Sequence, residues 1–411
     1  MAQKGGWMAV FGKVLQWAVL AAAVISAPWA AASPVALQQP IEVPAQADGN
    51  KISVQIQLDG SDPIWVVLDS GAPPPIVLLS DDRLPREMGW TSTAQFPLGG
   101  AGSGPRPMVD VFAGVSVKVA GLEFPDQRVL ALPQGNSFAS HTAATGWEGV
   151  IGGLLFNRFV VEQDYARGRI VLHPRDGFQA PQGATELPLA VGPAGHVFVD
   201  TQLRLQEGPL KPVRLVVDSG AGHALSLQSD EEQGILPPEK TVEAYLGSGV
   251  SGELHGKVGR LSELHLGEHV LRDVVTSFPE AGNMPNVGRR NGNLGMGVLR
   301  RFVVYFDIPG RRMFLLPGTD YREPFEFTAT GLLVRRHSDG YEVVQVLDGS
   351  PAAQAGITKG ALLTAVDGQA TSSMRQDDLN DAMRQPNTTL SVTFRQDGRE
   401  QPVTLTTRKI L

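Results

Sequence analysis

The 411-residue chain is 42% hydrophobic and 19% charged, with 47 glycines, 30 prolines, no cysteine and a formal charge of −7. That length exceeds one ordinary domain, and the glycine and proline content favours short strands joined by turns. The acidic balance without a basic patch argues against nucleic acid or an anionic membrane as the main partner, and the lack of cysteine excludes disulfides and lipid attachment through a thiol.

Residues 1–32 carry Lys4 and Lys13 and no acid, then an apolar run over 14–27, then Ala30-Ala31-Ala32. This pattern predicts a secretory signal peptide cut after Ala32, because a run of 14 residues falls short of the roughly 20 that span a bilayer. No later segment is long and apolar enough to span, so a periplasmic or secreted protein of charge −9, without the two lysines, is expected.

Beyond the leader the chain repeats. Residues 149–174 lie over 292–317 at a constant offset of 143 without gaps, and 10 of the 26 positions are identical, including Gly149/Gly292, Gly152/Gly295, Asp164/Asp307 and Pro174/Pro317. Chance gives about one or two. A second pair repeats at an offset of 149: Val67-Leu68-Asp69-Ser70-Gly71-Ala72 and Val216-Val217-Asp218-Ser219-Gly220-Ala221. Two tandem copies over 40–175 and 186–318 account for both offsets.

Within each copy the apolar pattern has period two, as in Ile52-Ser53-Val54-Gln55-Ile56, which predicts antiparallel sheet. Short helices are expected over 80–88 and 229–233, and an inter-lobe linker over 175–186. After Pro317 the pattern changes. Residues 319–327 read as a short connection, followed by a helix at Ser350-Pro351-Ala352-Ala353-Gln354-Ala355-Gly356 with Ser as its cap, and a second helix over 374–384.

A lone Asp-Ser-Gly occurs in turns for local reasons, since Asp and Ser bond their own backbone and Gly accepts positive φ. Two such motifs, one per copy, each after an apolar strand and each followed some 75 to 80 residues later by an apolar-apolar-Gly element, are more specific. Those elements are Val150-Ile151-Gly152 and Asn293-Leu294-Gly295. Glycine-rich turns follow the aspartates at about 30 residues' distance, carrying Gly99, Gly100 and Gly102 in the first copy and Gly247 and Gly249 in the second. The second turn also fits G-x-G-x-x-G, but strand-like alternation follows it where a nucleotide site needs a helix.

On these residues the sequence resembles the aspartic peptidases of the retropepsin and pepsin type over about 40–318. The resemblance implies a mostly β, two-lobed pair of barrels, with Asp69 and Asp218 as the catalytic pair and Ser70 and Ser219 orienting it. It also implies that Gly71 and Gly220 allow close approach and that the glycine-rich turns are flaps. Two carboxylates in one cleft share a proton, so one acts as base toward a bound water and the other as acid toward the peptide carbonyl, with no metal or other cofactor. Two departures stand out. Pro73-Pro74-Pro75 follows the first motif where the second copy has Gly222-His223-Ala224-Leu225, and Asn293 replaces an expected apolar residue. His265 and His269 have ligand-like spacing but flank Gly267 in a turn, which favours a solvated turn over zinc.

Residues 326–411 resemble a bacterial PDZ domain, through Ser350 to Ile357 and Gly360-Ala361-Leu362-Leu363-Thr364-Ala365-Val366-Asp367-Gly368-Gln369. The resemblance implies a peptide-binding groove beside Gly331, Leu332, Leu333 and Val334, where a peptide adds as a strand. Both aspartates lie in one chain, so a monomer suffices for the site. The expected function is an exported aspartic endopeptidase acting on protein or peptide substrates, with the PDZ domain recruiting a substrate or partner. The rival readings are a non-catalytic periplasmic peptide-binding protein on the same fold, and an enzyme held inactive until the PDZ domain is engaged.

Overall fold

A computed structural model describes residues 37–72, 77–136, 138–139, 144–192, 194–284 and 288–411. The expected signal peptide and Pro73 to Pro75 lie outside the described residues. The described chain is mostly strand, as its alternating burial requires: in Lys51–Leu58 the residues Ile52, Val54, Ile56 and Leu58 are all within 1% of full burial.

In the first lobe six strands close a ring. Ile64–Leu68 pairs with Lys51–Leu58 on one side and runs parallel to Gly149–Ile151 on the other. Gly149–Ile151 is antiparallel to Val77–Leu79, which runs parallel to Leu122–Ala131. Met108–Val119 then joins Leu122–Ala131 back to Lys51–Leu58. The second lobe repeats this ring strand for strand, through Val197–Arg204, Lys211–Asp218, Gly292–Gly295, Leu225–Leu227, His269–Pro279 and Gly252–Leu266. Each aspartate motif therefore sits where a buried strand, flanked by two others, leaves its barrel.

Below the barrels, a sheet of six strands joins the lobes in the order Ile41–Val43, Arg169–His173, Val160–Asp164, Phe302–Asp307, Arg312–Pro317, Thr185–Val191. Its centre is symmetric: Val161 opposes Phe306 and Gln163 opposes Val304, and an offset of 143 turns each pair into the other. Asp164 and Asp307 cap the hairpins that follow, Asp164 accepting from the Arg167 N–H at 3.2 Å and Asp307 from the Gly310 N–H at 3.0 Å. One hydrophobic core runs through both barrels and this sheet, so the lobes are not separable units.

The expected helix over 80–88 is shorter, at Arg83–Glu87. No helix forms over 229–233. There the Asp230 N–H and C=O bond back to Ile235, the Gln233 N–H bonds to Asp230 Oδ1 at 3.0 Å, and Gly234 turns the chain at φ 63°. Side-chain bonding to the local backbone wins over helix in so short a segment. The linker ends earlier than expected, with Thr185 and Glu186 already paired to Leu315 and Phe314.

The third unit has a sheet in the order Leu332–His337, Gly340–Val346, Leu362–Val366, Thr389–Gln396, Arg399–Thr406 and its own core around Tyr341, Leu363, Leu379 and Phe394. Ser350 caps the helix Pro351–Gln354, its Oγ accepting the Ala353 N–H at 3.2 Å. The other helix, Gln376–Arg384, begins after Arg375, which has no capping oxygen. Lobe 1 supplies one: the Asp48 carboxylate accepts the Gln376 and Asp377 N–H groups at 3.1 and 2.9 Å. Tyr165 adds a 2.6 Å bond to Asp377, and Gln345 bonds the Tyr245 N–H and the Glu243 carbonyl of lobe 2 at 2.6 and 3.0 Å. The unit is thus tied to both lobes.

Candidate active site

Strands Ile64–Leu68 and Lys211–Asp218 bring Asp69 and Asp218 to the floor of one cleft between the barrels. The serines that follow lock the two loops together. Ser70 Oγ donates to the Val217 carbonyl at 2.9 Å and accepts the Ser219 N–H at 3.0 Å. Ser219 Oγ donates to the Leu68 carbonyl at 2.9 Å and accepts the Ser70 N–H at 2.9 Å. Both hydroxyls are buried, so no water competes for these four bonds.

Gly71 and Gly220 admit the carboxylates. A Cβ on Gly220 would stand 2.4 Å from Asp69 Cγ, and one on Gly71 would stand 2.7 Å from Asp218 Cγ. Each carboxylate therefore rests against the glycine of the opposite loop, and any other residue there would drive the pair apart. Asp69 Oδ1 accepts the Gly71 and Ala72 N–H groups at 2.7 and 3.1 Å. Asp218 Oδ2 accepts Asn293 Nδ2 at 2.7 Å, and Asn293 is held in turn by Arg290 at 2.9 Å. The asparagine that breaks the apolar pattern is a hydrogen-bond donor to the pair.

Burial lifts Asp69 above the usual carboxylate range, against the opposing pull of the Gly71 N–H and the Lys51 charge. Asp218 is pushed up to about 7, by burial first and by the Asp69 charge second. The pair thus holds a proton at mild pH and titrates as a unit.

Three residues of the cleft were not read as site residues from the sequence. Lys51 Nζ donates to the Gly220 carbonyl at 2.9 Å and lies 5.9 Å from the Trp147 ring centre. Burial lowers its pKa, while Asp218 and Asp69 oppose that shift. His196 holds the matching place in lobe 2, because Ser53 opposes Val67 and Phe198 opposes Val216, and each cleft residue lies two positions earlier. The third, His223, is pushed down to about 4 by burial and then by Lys51, so its imidazole is neutral near pH 7. Lys51 was legible only through strand register, since its position in the alternating pattern is ordinary.

The Lys51 ammonium favours the ionised pair, so Lys51→Met should move both limbs of the pH profile for peptide cleavage upward by about one unit, and Lys51→Arg should restore them. Profiles of kcat/KM against pH for the three proteins test this. Unmoved limbs in Lys51→Met would remove Lys51 from the site's electrostatics.

Above the carboxylates, both glycine-rich turns reach the same point. The Ser251 N–H donates to the Ala101 carbonyl at 3.0 Å, the Gly104 N–H to the Ser251 carbonyl at 2.6 Å, and the Ser103 N–H to the Glu253 carbonyl at 3.1 Å. A Cβ on Gly102, at φ 133°, would overlap Ser251 at 2.3 Å. Gly99, Gly100, Gly247 and Gly249 line the space below, so two flaps roof the cleft tip to tip.

That space, of about 1600 Å³, extends into the groove between strand Leu332–His337 and helix Gln376–Arg384. Of the four expected groove residues, Leu332, Leu333 and Val334 line it. Leu332 is also part of the third unit's core, and Leu333 packs on Ala244, Val258 and Leu411 at the base of the second flap. Gly331 lies just outside, its N–H bonded to Thr328 Oγ1 at 3.1 Å. His265 and His269 bond Glu263 and Tyr321, at 3.0 and 3.2 Å, away from the cleft.

Comparison with protein families matches residues 201–298 to the aspartyl protease family and residues 342–396 to the PDZ domain. The chain carries an aspartyl protease domain and a C-terminal PDZ domain. Among solved structures, the aspartic proteinase of Irpex lacteus is similar over 70% of this chain and 99% of its own, at 13% identity and a TM-score of 0.40. Soybean basic 7S globulin covers 68% of this chain and 95% of its own, at 11% identity and the same score. A photosystem II D1 C-terminal processing protease matches 23% of this chain and 26% of its own, at 22% identity and a TM-score of 0.21. No curated protein matches. The protease family match spans Asp218, Asn293 and the second flap, and the PDZ match spans the helix Gln376–Arg384.

Proposed function

We propose that the chain is an exported aspartic endopeptidase that hydrolyses peptide bonds of protein substrates through Asp69 and Asp218. The observation that carries this reading is the cross-bonded Ser70 and Ser219, which fixes two half-buried carboxylates against opposite glycines with one proton to share. A water between the carboxylates loses a proton to the ionised one as its oxygen attacks the peptide carbonyl. The protonated one gives its proton to the carbonyl oxygen. As the C–N bond of the tetrahedral diol breaks, the amine nitrogen takes the proton the first carboxylate had received from water. The second carboxylate recovers its proton from a diol hydroxyl, which becomes the new carboxyl carbonyl. The flaps exclude bulk water from this step and offer backbone groups to an extended substrate. Lys4, Lys13 and the apolar run after them support export.

A second reading, peptide capture without cleavage, is favoured by the flap tips, which are bonded to one another and must part before a chain can enter. One experiment separates the two. The purified protein is incubated with a peptide library between pH 3 and pH 8, with and without a chelator, and new termini are read by mass spectrometry. The peptidase reading expects new termini that persist with the chelator. No new termini at any pH, together with retention of library peptides on the immobilised protein, would establish the capture reading instead.

A further inference from the structure

The hairpin turn that leads into strand Lys51–Leu58 stands where three parts of the molecule meet. One side of it holds the groove helix: Asp48 caps Gln376–Arg384, and Arg375 Nη2 donates to the Ala47 carbonyl at 2.7 Å. The other side reaches across the cleft to the loop that follows Asp218. Asn50 Nδ2 donates to the Gly222 carbonyl at 2.8 Å, and Lys51 Nζ, one residue on, donates to the Gly220 carbonyl at 2.9 Å. Gly220 is the residue against which the Asp69 carboxylate rests. Two successive side chains of lobe 1 thus hold the loop of lobe 2 by its backbone.

Asn50 is itself held from the third unit. Its N–H donates to Tyr165 Oη at 2.9 Å, and the Tyr165 hydroxyl donates to Asp377 Oδ2 at 2.6 Å. Arg300 closes the ring: its Nη1 donates to Asn50 Oδ1 at 2.8 Å and lies 3.6 Å from Asp377 Oδ1, and its guanidinium stands 4.4 Å from the Tyr165 ring centre. Both ends of the Asn50 amide and its N–H are therefore engaged. Asn50 sits at φ 56°, in the left-handed region that asparagine tolerates better than most residues, and so presents all three groups at once. Tyr165 is buried, and burial first and the Asp377 charge second keep its phenol protonated, so it accepts from Asn50 while it donates to the carboxylate. Lobe 2 has no such arrangement. Among the described residues, the equivalent turn before His196 hydrogen-bonds only within its own hairpin, through the Gly195 N–H to Gly192 and the Gly192 N–H to His196.

We propose that Asn50 is a positioning residue for the catalytic pair, fixing the backbone of residues 220–222, and that the PDZ helix, through Asp377 and Tyr165, fixes Asn50. The PDZ unit is then a third wall of the active site rather than an arm appended to it. The tie from helix to loop stands on the hydrogen bonds alone, whereas its use in catalysis rests on the peptidase reading. Breaking it at Asp377 frees the loop after Asp218 and lets Lys51 withdraw from the pair, which slows the reaction and favours the protonated carboxylates.

Two variants of the whole chain isolate the hydrogen bond: Asp377→Ala removes both charge and acceptor, and Asp377→Asn removes the charge but keeps an acceptor for the Tyr165 hydroxyl. Hydrogen–deuterium exchange of peptides covering residues 219–224 comes first and needs no cleavage. Asp377→Ala exchanges there about tenfold faster than wild type, Asp377→Asn much as wild type, and Tyr165→Phe, which breaks the tie from lobe 1, as Asp377→Ala does. Equal exchange in all of these proteins overturns the tie, and if Asp377→Ala does not fold, Tyr165→Phe decides. In peptide cleavage, Asp377→Ala lowers kcat about 10²-fold with KM within about twofold and moves both limbs of the pH profile up by about half a unit, and Asp377→Asn restores all three. Loss of the Asp377 charge alone would move the limbs down, in both variants alike, and that result, or an Asn variant as impaired as the Ala variant, overturns the hydrogen-bond route. Asn50→Gly keeps the turn, deletes the amide and loses as much rate, and adding Asp377→Ala to it costs little more. Losses that multiply would overturn the serial tie. Faster exchange with unchanged kcat and limbs overturns the positioning role, whereas faster exchange in a chain whose wild type cleaves no peptide overturns the peptidase reading and leaves the tie in place.

Discussion

Asp69→Asn and Asp218→Asn should each lower kcat/KM for peptide cleavage by at least about 10³-fold, and the double substitution should add little. The pair shares one proton, so an amide at either position removes the acid or the base and leaves nothing for the second change to take away. Steady-state kinetics of the two single variants and the double variant test this, and a double variant that multiplies the single losses would mean two independent groups. Stability should move the other way. Burial and then the Asp69 charge raise Asp218 to about 7 in the folded chain, from the ordinary aspartate value of 3.8. Between about pH 4 and pH 7 the folded protein keeps a proton that the unfolded chain has released, so the Asp218 contribution to stability falls as pH rises through that window. Asn carries no charge, so Asp218→Asn should melt at a higher temperature than wild type at pH 7 and at the same temperature near pH 4. An equal difference at both pH values would contradict this linkage.

Ser219→Ala should destabilise the two-lobed body by about 2–4 kcal/mol, an effect set by what it strands. The change strips the buried Ser70 N–H of its acceptor and the Leu68 carbonyl of a donor, at a position where Ser219 is fully buried. Ser70→Ala should do the same to the Ser219 N–H and the Val217 carbonyl. The two serines form one network, so the double variant should lose less than the sum of the singles. Activity should fall about 10²-fold in either single variant, because a small misplacement of one loop moves its carboxylate away from the other. Denaturant titration followed by circular dichroism supplies the stability values. A loss below about 0.5 kcal/mol would show that water replaces the missing hydroxyl.

Most of the architecture was legible because duplication writes itself twice. The offset of 143 survives as strand-for-strand equivalence, and both Asp-Ser-Gly-Ala segments end buried strands at matching points of their barrels. Spacing along the chain does not reveal which residues meet across it. Lys51 looked like one polar position beside an alternating strand, and only the register that sets Ser53, two positions on, against Val67 carries it to the carboxylates. Asn293 read as a flaw in an apolar element, because its use depends on Asp218 lying within 2.7 Å. Asp48 caps a helix more than 300 residues away, which no local pattern encodes. Leu333 was read as groove wall from its place in the PDZ pattern, yet a neighbouring flap claims part of its surface.

The serine lock is two-fold symmetric, but its surroundings are not. Lys51 faces the cleft where the other half presents His196, and Asn293 reaches Asp218 where Val150 stands beside Asp69's strand. Two identical subunits would carry these residues in duplicate, with two lysines or two histidines and an amide on both sides or on neither. Joining the halves in one chain lets each side drift alone. The two resting places of the shared proton then differ in energy, and a substrate chain entering the cleft meets a direction rather than a mirror.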